Sequence, residues 1–172
     1  MGRHFTKEEQ KQWLKSQPRK PLSSKLLLVD EAGRLFFTKP TYKPGWGLVG
    51  GMVDENESPL EAVLREAAEE TGITLAAERL VFLGVRYGVS KNSGDDYLHF
   101  LFKAQLTHDE AESIHVQENE IEDSCWLPAA EIDEKIDVQD HTWVLAKQAM
   151  DKSLPFYSDK DEVVISPITR SS

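Results

Sequence analysis

The segment from Ser58 to Gly72 constrains this chain more than any other. Ser58 suits an N-cap, Pro59 the first helical position, and Gly72 the left-handed geometry that closes a helix. Between them Leu60, Val63, Leu64, Ala67 and Thr71 recur at helical spacing, which predicts a helix laying one face on a core. The other sector is crowded with charge. At about 100° per residue, Glu66 and Glu70 lie about 40° apart, and Glu69 lies about 60° from Glu66 on the other side. Such like charges, three and four residues apart, destabilise a helix by roughly a few tenths of a kcal/mol per pair. Arg65, four residues after Glu61 and four before Glu69, offsets part of that repulsion. Two readings follow: a solvated salt-bridge network, or a cluster that holds something positive.

With 172 residues, 40% of them hydrophobic, the chain has material for one well-buried core. The expected organisation is an arm over 1–21 with a short helix, a domain over 22–150 and a tail over 151–172. In the arm, Thr6 to Glu9 has the form of a capping box, Trp13 and Leu14 give an apolar edge, and Pro18 and Pro21 end the helix. Lys25 to Val29 and Arg34 to Thr38 read as a hairpin around Asp30 to Gly33. A loop punctuated by Pro and Gly leads to a short strand, Trp46 to Val49, and the pair Gly50-Gly51. Leu80 to Ser90 and Tyr97 to Leu106 are expected to pair antiparallel across a turn at Lys91 to Asp96. An acidic loop from Asp109 to Asp123 then precedes a strand at Cys125 to Leu127. Pro128 to Ile136 and Val138 to Met150 read as helices. Val163 to Ile165 fits a further strand, an inter-subunit contact or part of a loosely docked tail.

Charge and hydropathy exclude some functions. With 30 acidic and 20 basic residues, a formal charge of -10 disfavours binding to a nucleic-acid polymer, whose affinity comes mostly from Lys and Arg. A small phosphorylated ligand is compatible, because divalent cations can sit between acidic side chains and phosphate oxygens. The longest aliphatic run near the start, Leu26 to Val29, is far short of a membrane span, and the first residues lack a signal peptide's apolar core. The expectation is a cytoplasmic protein with no membrane partner. The lone Cys125, beside Trp126 and Leu127, reads as a buried strand residue. His4, His99, His108, His115 and His141 show no ligand spacing.

The frame around the carboxylates decides between the two readings. Gly51, five residues, Glu57, seven residues, then Arg65-Glu66-Ala67-Ala68-Glu69-Glu70-Thr71-Gly72-Ile73 resembles the Nudix box at each fixed position. Ala67 is small where the family commonly has a bulkier aliphatic. Trp46 to Gly51 resembles the Trp-x-Leu-Pro-Gly-Gly approach of many members, with Val49 in place of proline. The resemblance implies an α/β chain with the Nudix fold, an α/β/α sandwich around a mixed central sheet. It implies Mg2+, with Mn2+ as a substitute, held by Glu66, Glu69, Glu70 and the Gly50 carbonyl, while Glu57 and Arg65 orient the ligand carboxylates through a salt bridge. The general base would be Glu69 or a residue of the later acidic loop. There Glu120 is best placed and would also ligate metal, with Glu118 and Glu122 beside it.

The implied activity is hydrolysis of a diphosphate linkage in a nucleoside diphosphate derivative, such as a nucleoside triphosphate or ADP-ribose. A nucleotide sensor on the same fold is the alternative. Isomerase chemistry on an isoprenoid diphosphate would need a catalytic cysteine, and the lone Cys125 reads as buried. Lys39, Lys43, Arg34 and Arg86 are candidates for substrate phosphates, although cations of this kind are more often solvated at the surface. Trp46, Tyr87, Tyr97 and Phe100 are candidates for base stacking, or core. A homodimer is left open.

Overall fold

Six consecutive buried residues, Ser23 to Leu28, mark β1 (Leu22–Val29) as a strand covered on both faces, which places it inside a sheet. In this computed structural model, which describes residues 5–89, 94–138, 143, 146–147, 156–159 and 162–165, six further strands join it. They are β2 (Arg34–Pro40), β3 (Val81–Val89), β4 (Asp96–Gln105), β5 (Ile121–Pro128), β6 (Phe156–Asp159) and β7 (Glu162–Ile165), in the spatial order β5-β2-β1-β4-β3-β6-β7. The β1–β4 and β3–β6 pairs are parallel and the others antiparallel, so the sheet is mixed.

Alternation along the strands divides the core in two. On one face Leu26, Leu28, Phe36, Phe102 and Ala104 pack with Val63 and Ala67 of α2 (Pro59–Thr71). On the other, Leu27, Leu35, Phe37, Leu101 and Leu127 pack with Ile132 of α4 (Ile132–Lys135) and with Trp143 and Ala146, which are helical. Helical residues therefore cover both faces, giving the α/β/α sandwich. Two more helices are α1 (Lys7–Ser16), none of whose residues is buried, and the short α3 (His108–Glu112). No described helix is long and apolar enough to cross a membrane.

The β1–β2 hairpin forms as expected but soon opens. Its strands pair at Val29 and Leu35 beside the turn, where the Asp30 and Arg34 backbones also bond. Beyond that point residues 46–53 enter the gap. Gly47 exchanges both backbone bonds with Thr38 of β2, Leu26 and Ser24 of β1 donate to the Val49 and Gly51 carbonyls, and Val53 donates to Leu22. The short strand expected at Trp46 to Val49 is thus a seam between two strands.

Elsewhere the structure corrects the sequence reading. The helix expected over Pro128 to Ile136 shrinks to α4, because Pro128 still belongs to β5, opposite Arg34. Val138 does not begin a helix, since it pairs with Trp46; much of the remainder to Met150 lies outside the described residues. The acidic loop contains α3, capped by Thr107 and Glu110, and its end belongs to β5. Part of the turn at Lys91 to Asp96 lies outside the described residues, while β3 and β4 pair antiparallel as expected. The tail supplies β6 and β7, so the sheet does not stop at residue 150. Cys125 is in β5 but only half-buried, its thiol pushed up to about 11 by burial and by Asp123.

Candidate active site

α2 begins and ends where its sequence dictates. The Ser58 hydroxyl accepts from the Glu61 N–H, and the Glu61 carboxylate accepts from the Ser58 N–H, which fixes the first turn. Gly72 closes the helix at φ 73°, and the buried Thr71 hydroxyl bonds back to the Ala67 carbonyl at 2.5 Å. With Val63 and Ala67 facing the core, Glu66 stands beside Gly51 and Glu70 beside Gly50 of the seam.

Arg65 gathers them. Its guanidinium holds Glu57 in a two-point pair at 2.8 and 3.0 Å and reaches Glu66 at 2.8 Å, Glu69 at 2.9 Å and the Met52 carbonyl at 3.1 Å. The Glu57 hydrogen bonds foremost, then those to Glu66 and Glu69, keep Arg65 charged to well above its ordinary range. In return Arg65 holds Glu57 below the usual carboxylate range, as does the Asp54 N–H. The two glycines admit this geometry for separate reasons. Gly50 has φ 125°, and a Cβ there would overlap the Ser24 carbonyl; a Cβ on Gly51 would overlap the Glu66 carboxylate.

Glu70 stands apart from the Arg65 network. It is 9% exposed, accepts from the Gly50 N–H at 3.2 Å, and burial pushes its carboxyl up to about 7 despite the opposing charge of Lys25. A carboxylate so desolvated is one that a nearby cation stabilises. Among the described residues no three acidic, histidine or cysteine side chains stand close enough together to enclose a metal ion as they lie. Glu66 and Glu69 are turned to Arg65, and Glu70 to the backbone. The donor types nevertheless fit a hard divalent ion: three carboxylates and the Gly50 carbonyl, all oxygen.

The remaining predicted residues divide. Glu120 is exposed, and its carbonyl accepts from the Thr41 N–H at 2.8 Å, tying the acidic loop to the loop before the seam. Tyr42, 74% exposed, was not singled out in the sequence. Its hydroxyl is raised by desolvation and then by the charges of Glu70, Glu66 and Glu120, so all three lie within electrostatic reach of one side chain. Lys43 also acts electrostatically on Glu70. Glu118 is exposed, and Glu122 is taken up by Lys39 at 3.0 Å.

Two of the candidate substrate cations have partners within the fold. Arg34 sits at the hairpin turn, bonded to Asp30 at 2.6 Å. Asp30 follows Lys25 by five residues, about 17 Å along an extended chain, so Arg34 is remote from the carboxylates. Arg86 is buried in β3 and donates to the Tyr97 hydroxyl at 3.1 Å; it is no surface cation, and its described bond is to the sheet. Trp46 and Phe100 pack against the two cores. Tyr97 lies against His99, and the Tyr87 hydroxyl bonds Asp96.

One more site residue escaped the sequence reading. Lys25, inside β1 and 9% exposed, donates from Nζ to the Gly50 carbonyl at 2.5 Å. Its signal was available: a lysine directly before the apolar run Leu26 to Val29.

Comparison with known proteins adds an independent finding. A sequence model of the NUDIX domain matches residues 20–148. A protein named RNA pyrophosphohydrolase from Hydrogenovibrio crunogenus is 42% identical over 48 residues, 28% of this chain and 29% of its own length. The like-named protein of Cereibacter sphaeroides is 31% identical over 118 residues, 59% of this chain and 70% of its own. Among solved structures, the NUDIX domain of Shewanella oneidensis NrtR complexed with ADP ribose matches with a TM-score of 0.69 at 20% identity, covering 86% of this chain and 98% of that one. At that identity the likeness is one of fold.

Proposed function

The chain belongs to the Nudix family, and on that premise we propose that it is a metal-dependent pyrophosphohydrolase that cleaves a diphosphate linkage in a nucleotide by attack of water at phosphorus. The observation that carries the reading is the arrangement on α2: one arginine aligning Glu57, Glu66 and Glu69, beside a buried Glu70 bonded to Gly50. Glu66, Glu69, Glu70 and the Gly50 carbonyl are the groups that would hold Mg2+ or Mn2+. When bound, such an ion neutralises the diphosphate and lowers the pKa of water.

The protein's own groups supply the rest. Arg65 and Glu57 fix the carboxylates, which restricts the directions in which they present oxygen. Glu69, half-exposed, or Glu120, exposed on the facing loop, takes the proton from the attacking water. Lys43, an exposed cation whose charge acts on Glu70, is assigned to the substrate's phosphates.

The names of the relatives set the range of substrates to try. Nucleoside triphosphates, ADP-ribose and a short RNA bearing a 5′-triphosphate should be assayed with magnesium and with manganese, reading phosphate, pyrophosphate and nucleoside monophosphate. Release from at least one is expected, and Glu70→Gln should lower it at least 100-fold while circular dichroism stays unchanged. Calorimetric binding of a nucleotide with no release from any of them would replace the hydrolase with a sensor.

A further inference from the structure

A charged side chain inside a doubly covered strand needs a partner, and the one given to Lys25 belongs to the proposed metal site. Its ammonium donates to the Gly50 carbonyl, while the N–H of the same residue donates to Glu70. Lysine, carbonyl and carboxylate therefore form one polar group at the seam. An ammonium and a divalent ion competing for the same carbonyl repel strongly at such short range, most of all where water is scarce. A lysine stem of four carbons allows the ammonium to turn elsewhere without moving the strand.

Resting on the reading of this site given above, we infer that Lys25 is a resident counter-ion that competes with the divalent cation. Without the metal it neutralises the Gly50–Glu70 pair. When the metal enters it gives up the Gly50 carbonyl, and its ammonium turns to the oxygens of the substrate diphosphate. Lys25 thus sets how tightly metal binds alone and makes tight binding depend on an anionic substrate.

Lys25→Met removes the charge and nearly keeps the volume, whereas Lys25→Arg keeps the charge. Titration with Mn2+ alone, with the free ion followed by electron paramagnetic resonance, should give a Kd at least tenfold lower in Lys25→Met than in the wild type. Lys25→Arg should remain within about threefold of the wild type. With metal saturating, Lys25→Met should raise KM for the best substrate at least tenfold. If Lys25→Met does not fold, Lys25→Gln carries the same expectation. Mn2+ affinity that is unchanged or weaker in the folded neutral variant overturns the role of Lys25 and leaves the metal site standing. A wild-type protein that binds no Mn2+ overturns both.

Discussion

α1 and α2 start in the same way and end in different circumstances. Each has a hydroxyl N-cap and a glutamate three residues on that closes a reciprocal capping box, Thr6 with Glu9 and Ser58 with Glu61. Each carries carboxylates in or near its first turns. Yet α1 buries none of its ten residues, with Trp13 and Leu14 left 52% and 53% exposed, while α2 buries Ala62, Val63, Ala67, Glu70 and Thr71. Capping fixes where a helix begins, but packing fixes where its side chains stand. A glutamate on α1 keeps its water, and one on α2 loses it. That loss raises Glu70 to about 7.

The sharpest way to expose the difference is pH. Glu70 has a folded pKa above its unfolded value of about 4.5, so in the metal-free protein between pH 4.5 and 7 the native state binds more protons than the unfolded one, and stability falls as pH rises through that window. Replacing Glu70 by Gln removes the effect. Urea melts of the two proteins should show their stability difference changing by about 2 to 3 kcal/mol between pH 5 and 8. Glu9→Gln should show no such change, and an equal response would end the contrast between the helices. Next in size is packing. Val63→Ala should cost about 2 kcal/mol in the same melts, and Leu14→Ala less than about 0.5 kcal/mol. The smallest difference is in the caps. Ser58→Ala should cost about 1 kcal/mol of global stability. Thr6→Ala should reduce far-ultraviolet helicity slightly and leave the unfolding midpoint where it was.

What could be read from the sequence was mostly local. The bounds of α2, the spacing of its carboxylates, the β1–β2 turn and the β3–β4 pairing depend on neighbours within a few residues or on a strong alternation. Features set by distant chain were harder. Pro128 looked like a helix start because proline suits that position, but its partner across the sheet, Arg34, keeps it in β5. The seam could not be inferred from Trp46 to Val49, since its bonds go to two strands that precede it. Arg34 and Arg86 were interchangeable as sequence candidates. The structure separates them through Asp30 and Tyr97, one four residues away and the other eleven. Lys25 was passed over for a related reason: its importance rests on the Gly50 carbonyl, 25 residues downstream.

The two adjacent glycines of the seam have different tolerances to change. At Gly50 the obstacle is backbone, the Ser24 carbonyl, and the φ of 125° is itself unsuited to a side chain. At Gly51 the obstacle is the end of the Glu66 side chain, which can swing away from Arg65. A library randomised at both positions and selected only for folding should leave position 50 almost monomorphic while admitting alanine and serine at position 51. Selection for turnover should then remove those alternatives too, because each displaces Glu66. One dipeptide would thus separate the demands of architecture from those of chemistry.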